Sequence, residues 1–159
     1  MHKRRPIMSK QTLEIKVALQ ILKPVKTVFE AIIDPEKMSN YFISRGSGRM
    51  IEGKQVRWMF PEFEEEFPIS VGKIEQDRYI SYHWEVDGEE LLVEMAFTPV
   101  DGDATIVTIT EKSRNNDEAG IKWLMGNTGG WANFLACLKA YLEYGINLRK
   151  GAFDFLKKT

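Results

Sequence analysis

Leu13, Ile15, Val17, Leu19 and Ile21 are apolar and the positions between them mostly polar, the period of two expected of a strand with one buried face. Pro24 then opens a short helix over Val25 to Ile33, with Val25, Val28, Phe29 and Ile32 on one side. Asp34-Pro35 stops it and starts a second short helix, the Asp side chain able to cap free amides; that helix should end near Tyr41 and Phe42. Gly46, Gly48 and Gly53 mark turns around a short strand expected at Arg49 to Ile51. A further strand over Gln55 to Phe60 puts Val56, Trp58 and Phe60 on one face. Glu62 to Glu66, flanked by Pro61 and Pro68, reads as a loop. Strands follow at Ile69 to Glu75, Tyr79 to Val86, Glu90 to Pro99 and Ala104 to Lys112, separated by Gln76-Asp77, Asp87-Gly88 and Asp101-Gly102.

The period then lengthens. Leu124, Thr128, Trp131, Leu135, Leu138 and Leu142 recur every three or four residues, widened by Phe134 and Tyr141, as on a helix. Gly126, Gly129 and Gly130 each weaken a helix by up to about 1 kcal/mol relative to alanine, so its first turns are expected to bend or to begin late, near Thr128. Gly145 is placed to stop it. Short connections imply antiparallel strands, and a sheet with one apolar face needs a cover that only this last helix is long enough to give. The expectation is an α+β domain: a curved antiparallel sheet of about six strands, two short helices after the first strand, and a long C-terminal helix across the sheet.

Composition narrows this. The chain has 159 residues, 43% of them hydrophobic, enough for one core, so residues 11–145 are read as a single domain, 146–159 as its extension and 1–10 as a flexible tail. The tail, MHKRRPIM, is basic, without a following apolar stretch of signal-peptide length; Met8 is a possible natural start, and a basic arm touching a partner is the sharper reading. With 22 basic and 23 acidic residues, no global charge draws the protein to nucleic acid. No apolar run approaches the roughly 20 residues of a transmembrane segment. Cys137 is the single cysteine, which excludes an intramolecular disulfide and a multi-cysteine metal site and suits a cytoplasmic location.

The element order and several runs resemble the START and Bet v 1-like (SRPBCC) superfamily, and within it the bacterial proteins similar to the activator of the ninety-kilodalton heat-shock protein's ATPase. The resemblance is carried by Pro24 to Ile33, by Gly72 to Trp84, by Thr105 to Thr110, and most strongly by Gly130-Trp131-x-x-Phe134-Leu135-x-x-Leu138-Lys139-x-Tyr141-Leu142-Glu143. It spans about Leu13 to Gly145. What it implies is a helix-grip fold with a cavity between sheet and long helix. For function it points several ways, to carriage of apolar ligands, to assistance of a chaperone or to catalysis, because one fold hosts many activities.

The alternation nominates a wall for that cavity: Phe29, Trp58, Phe60, Ile74, Tyr82, Trp84, Met95, Phe97, Val107, Ile109, Trp131, Leu135 and Leu138. Such residues can enclose a lipid-like molecule or an aromatic metabolite, since small-molecule sites are mostly apolar. A filled core would use the same residues. The tryptophans tilt the reading toward a pocket, because a buried indole N–H wants a partner. Glu111 continues the face of Val107 and Ile109, as the polar floor of a cavity or, more ordinarily for a carboxylate, as the exposed end of its strand. His83 and Glu94 point away from that face.

Chemistry beyond binding finds little support in the residues. Neither His2 nor His83 has a neighbour at metal-ligand spacing, no Gly-x-Ser-x-Gly elbow occurs, and no histidine is assigned to activate Cys137. Gly46-Ser47-Gly48 lacks the Gly-Lys-Ser/Thr of a phosphate loop. The expectation is a binding module without cofactor, monomeric or weakly dimeric. Its partner would be an apolar small molecule, the alternatives being contact with a chaperone or an enzyme acting in the cavity. By topology, the acidic loop at Glu62 to Glu66 would lie near the cavity mouth and gate it.

Overall fold

The computed structural model describes residues 11–157, so the expected basic tail lies outside the described residues. Seven strands form one antiparallel sheet, in spatial order β1, β7, β6, β5, β4, β3, β2. They are β1 (Thr12–Ile21), β2 (Arg45–Gly46), β3 (Gln55–Met59), β4 (Glu66–Glu75), β5 (Tyr79–Val86), β6 (Glu89–Val100) and β7 (Ala104–Asn115). Two short helices, α1 (Val25–Ile33) and α2 (Pro35–Met38), follow β1, and the long α3 (Glu118–Tyr144) packs over the sheet against β1 and β7. This is the helix-grip arrangement. No helix among the described residues is long and apolar enough to cross a membrane.

Local chemistry accounts for the joints. Asp34 Oδ1 accepts the Glu36 amide at 2.9 Å, and Asp117 Oδ1 accepts the Gly120 amide at 2.7 Å, so an aspartate caps both α2 and α3. The β5–β6 hairpin turns on Asp87-Gly88, both at positive φ (51° and 81°), the twist-matched geometry of a two-residue hairpin loop. Gly145 closes α3 in the left-handed region (φ 65°), where its amide reaches back to Ala140 and Tyr141 carbonyls.

Three expectations are corrected. The short second strand lies at Arg45–Gly46, paired with Met59 and Trp58, and not at Arg49 to Ile51. There the Met50 amide donates to the last carbonyl of α1, at Ile33, which draws the segment off the ladder; Met50 is buried and Ile51 exposed. The long helix does not start late: it runs unbroken from Glu118 through all three glycines. Burial of Trp123 and the Asp117 cap outweigh the glycines' intrinsic cost. Finally, β4 begins at Glu66 and includes Pro68; up to Ile69 it pairs only with β3, so a residue without an N–H is tolerated on the open side.

Candidate functional site: an aromatic cleft over a buried carboxyl group

On the helix-facing side of the sheet, β7 places Glu111 in line with Val107 and Ile109, and its side chain is fully buried. Its exposed-end reading is therefore overturned. Three neutral N–H donors converge on it: Trp84 Nε1 to Oε2 at 2.6 Å, Asn127 Nδ2 to Oε1 at 2.9 Å and Trp131 Nε1 to Oε1 at 3.3 Å. Burying a carboxyl group is costly unless its oxygens are hydrogen-bonded, and here β5 and two adjacent turns of α3 supply the bonds. Asn127, Trp131 and Phe134 lie at i, i+4 and i+7, on one face of α3.

Below and beside Glu111 the interface is closed. Phe29, Trp58, Tyr82, Met95, Phe97, Val107, Ile109, Leu135 and Leu138 are all buried in one cluster, with edge-on ring contacts such as Phe29 to Phe97 at 5.4 Å and Trp58 to Tyr82 at 5.3 Å. The Tyr82 hydroxyl is buried without a hydrogen-bond partner among the described residues. Burial first, and then the nearby Glu111, push its phenol well above the ordinary tyrosine range.

Above Glu111 the interface opens. Three hollows of about 740, 310 and 120 Å³ meet at Phe42 and Asn127. The largest is floored by Phe60, Phe67 and Trp84 of the sheet side and flanked by Phe63; the smallest reaches Gly130 and Trp131 of α3. A Cβ at Gly130 would meet nothing within 4 Å, so packing does not demand glycine there, and its bare backbone leaves the cleft room. Phe42 is the hub of the rings, 5.1 Å from Phe60, 4.7 Å from Phe134 and 6.2 Å from Trp131. Glu65, Glu85 and Asp87 stand exposed at the rim.

One side of the mouth is strapped. After α3 the chain turns back over residues 147–157, and Arg149 forms a two-pronged ion pair with Glu62 at 2.7 and 3.2 Å. The Glu62 side chain is only 4% exposed, and the guanidinium lies over Phe60 (5.6 Å) and Phe153 (5.0 Å). The acidic loop thus lies beside the cleft, tied to the C-terminal segment.

The family model described as Activator of Hsp90 ATPase homolog 1-like protein matches residues 23–143. The chain belongs to this family. A crystal structure of the protein SSP2350 from Staphylococcus saprophyticus is 32% identical, with 86% of this chain and 96% of that one covered and a TM-score of 0.75. DynU16, from the dynemicin biosynthetic locus, is 25% identical at TM-score 0.74, with 84% of this chain matched to 48% of its own. The Aha1 dimer from Colwellia psychrerythraea, at 16% identity and TM-score 0.72 over 84% of this chain and 98% of that one, shares the fold. No curated protein matches the sequence.

In this member of the activator-homolog family the residues nominated from sequence divide. Phe60, Trp84 and Trp131 line the cleft, Glu111 lies beneath it, and the nine buried cluster residues named above pack against one another. Ile74 is half-buried against the core near the register shift of β4, its amide donating to Glu52 Oε1 at 3.0 Å. His83 is exposed, and Glu94 accepts the Tyr79 hydroxyl on the opposite face. Sequence reasoning missed Phe42, Phe63, Phe67, Asn127, Gly130 and Arg149. Asn127 carried a usable signal, four residues before Trp131, but a helix starting at Thr128 left it outside.

Proposed function

We propose that this chain binds a small, largely apolar molecule with a flat ring system in the cleft between β3 to β5 and α3. The observation that carries the reading is the contrast of packing along one interface, closed below Glu111 and open, ring-lined and about 740 Å³ above it. That volume suits a ligand of drug or metabolite size, and ring-on-ring contact supplies its affinity. Asn127 is the polar group of α3 that borders all three hollows. The reading is of binding without turnover. Cys137, the chain's one thiol, is buried and its pKa raised by that burial, which disfavours the nucleophilic thiolate. The neighbours of Glu111 are neutral donors.

Titration with the neutral fluorescent probe N-phenyl-1-naphthylamine tests this. The expected result is saturable one-to-one binding, weakened at least tenfold by Phe63→Asp at the cleft and unchanged by Met125→Asp on the exposed side of α3. Absence of saturable binding, or equal loss in both variants, contradicts it.

The family description supports a second reading, in which the domain contacts a chaperone. Its measure is the ATPase rate of the host's own ninety-kilodalton heat-shock protein with and without the domain. No change at high concentration removes that reading.

A further inference from the structure

We infer that Asn127 sets the ligand class of the cleft by presenting a hydrogen-bond acceptor, so that the preferred occupant is a flat aromatic molecule bearing a hydroxyl or N–H donor. The inference rests on the small-molecule reading above and deepens it.

An amide side chain can turn either end toward a neighbour, and its partners decide which. Asn127 Nδ2 lies 2.9 Å from Glu111 Oε1, an oxygen that also accepts the Trp131 indole N–H, while Oε2 accepts that of Trp84. Against a carboxylate, reversing the amide would set oxygen against oxygen, lone pair against lone pair, with no proton between them. The buried carboxyl group therefore fixes the flip. It commits one N–H of the amide to Glu111 and leaves Oδ1, which accepts no hydrogen bond among the described residues, on a side chain whose residue borders all three hollows of the cleft. The same carboxyl group consumes the N–H groups of Trp84 and Trp131, so the indoles offer a ligand ring faces and no donor. Glu111 is in this sense a positioning residue, acting through Asn127.

A matched pair of probes reads this out. Partition out of water favours 2-methoxynaphthalene over 2-naphthol, so a preference for the naphthol that disappears in Asn127→Ala marks an acceptor at that residue. By calorimetric titration the protein should bind 2-naphthol about three- to tenfold more tightly than its methyl ether, the range of one net hydrogen bond. Asn127→Ala, at a half-buried helix position, should abolish or reverse that ratio while the thermal melt stays cooperative. Glu111→Gln, which can donate as well as accept and so releases the amide, should lower the ratio and shift the indole ¹H–¹⁵N resonances of Trp84 and Trp131. Equal affinities for the two probes, or a preference that persists in Asn127→Ala because the rim carboxylates carry it, would overturn the inference while leaving the cleft as a binding site. Binding of neither probe would overturn both. Should Glu111→Gln fail to fold, the wild-type ratio and Asn127→Ala still decide.

Discussion

The two ends of the interface between sheet and long helix are built from the same kinds of residue and end in opposite states. Below Glu111, rings and branched side chains interlock and even the Tyr82 hydroxyl is sealed away from water. Above it Phe42, Phe63, Phe67 and Trp84 remain partly exposed around open space. The difference lies in what faces the sheet. From Trp131 onward α3 presents Phe134, Leu135 and Leu138, whereas in the turn before it the helix presents Asn127 and the bare Gly130. Small and polar residues on the helix turn a packing face into a cleft.

The largest effect expected is at the boundary. Trp131 is 3% exposed and touches Phe42, Trp84 and Phe134, so Trp131→Ala should cost about 3–5 kcal/mol in denaturant unfolding. A loss below about 1 kcal/mol would mean that the open end extends through this indole.

Alkaline pH probes two buried phenols, of which Tyr82 belongs to the closed end. Tyr41 and Tyr82 are both raised well above 10, in each case first by burial; Tyr41 also faces Tyr141, and Tyr82 faces Glu111. A raised folded pKa contributes stability that is whole below the unfolded value and lost as pH climbs above it. Above pH ~10 stability should therefore fall by about 1.4 kcal/mol per pH unit for each of the two. Tyr79 and Cys137, whose values burial also raises, add to the slope; Tyr82→Phe should remove the Tyr82 share of it, with little cost at neutral pH because its hydroxyl has no partner among the described residues.

Smaller effects belong to the open end. Arg149→Ala leaves Glu62 unpaired, but the strap can lift and admit water, so about 1–3 kcal/mol is expected, below the cost of breaking a deep pair. Faster amide exchange should be confined to residues 147–156. Phe63 is 44% exposed, and Phe63→Ala should change stability by about 0.5 kcal/mol or less while weakening N-phenyl-1-naphthylamine binding. A large stability loss there would show that the loop is part of the core.

Strand alternation and turn chemistry made the sheet, both short helices and the cover helix legible, because a buried face writes its period into the sequence directly. The cleft was less so. Period two assigns Trp58 and Trp84 to one face, yet it cannot say that the first is sealed and the second lines open space, since that depends on the opposing helix. Glu111 was assigned to the right face, but the sequence could not choose between a cavity floor and an exposed strand end, because its three donors come from β5 and from α3, far away in sequence. Propensity also misled at the glycines, where tertiary burial of Trp123 carries α3 past them. Arg149 lay in a tail whose packing no periodicity encodes.

The most direct test of the account is to map where an aromatic ligand sits. In a ¹H–¹⁵N titration with 2-naphthol, the account predicts that shifts gather at Phe42, Phe63, Trp84, Asn127 and Gly130 and leave Phe29, Val107 and Leu138 of the closed end in place. Shifts centred on the closed end, or spread over the outer face of α3 around Ile121 and Met125, would contradict it.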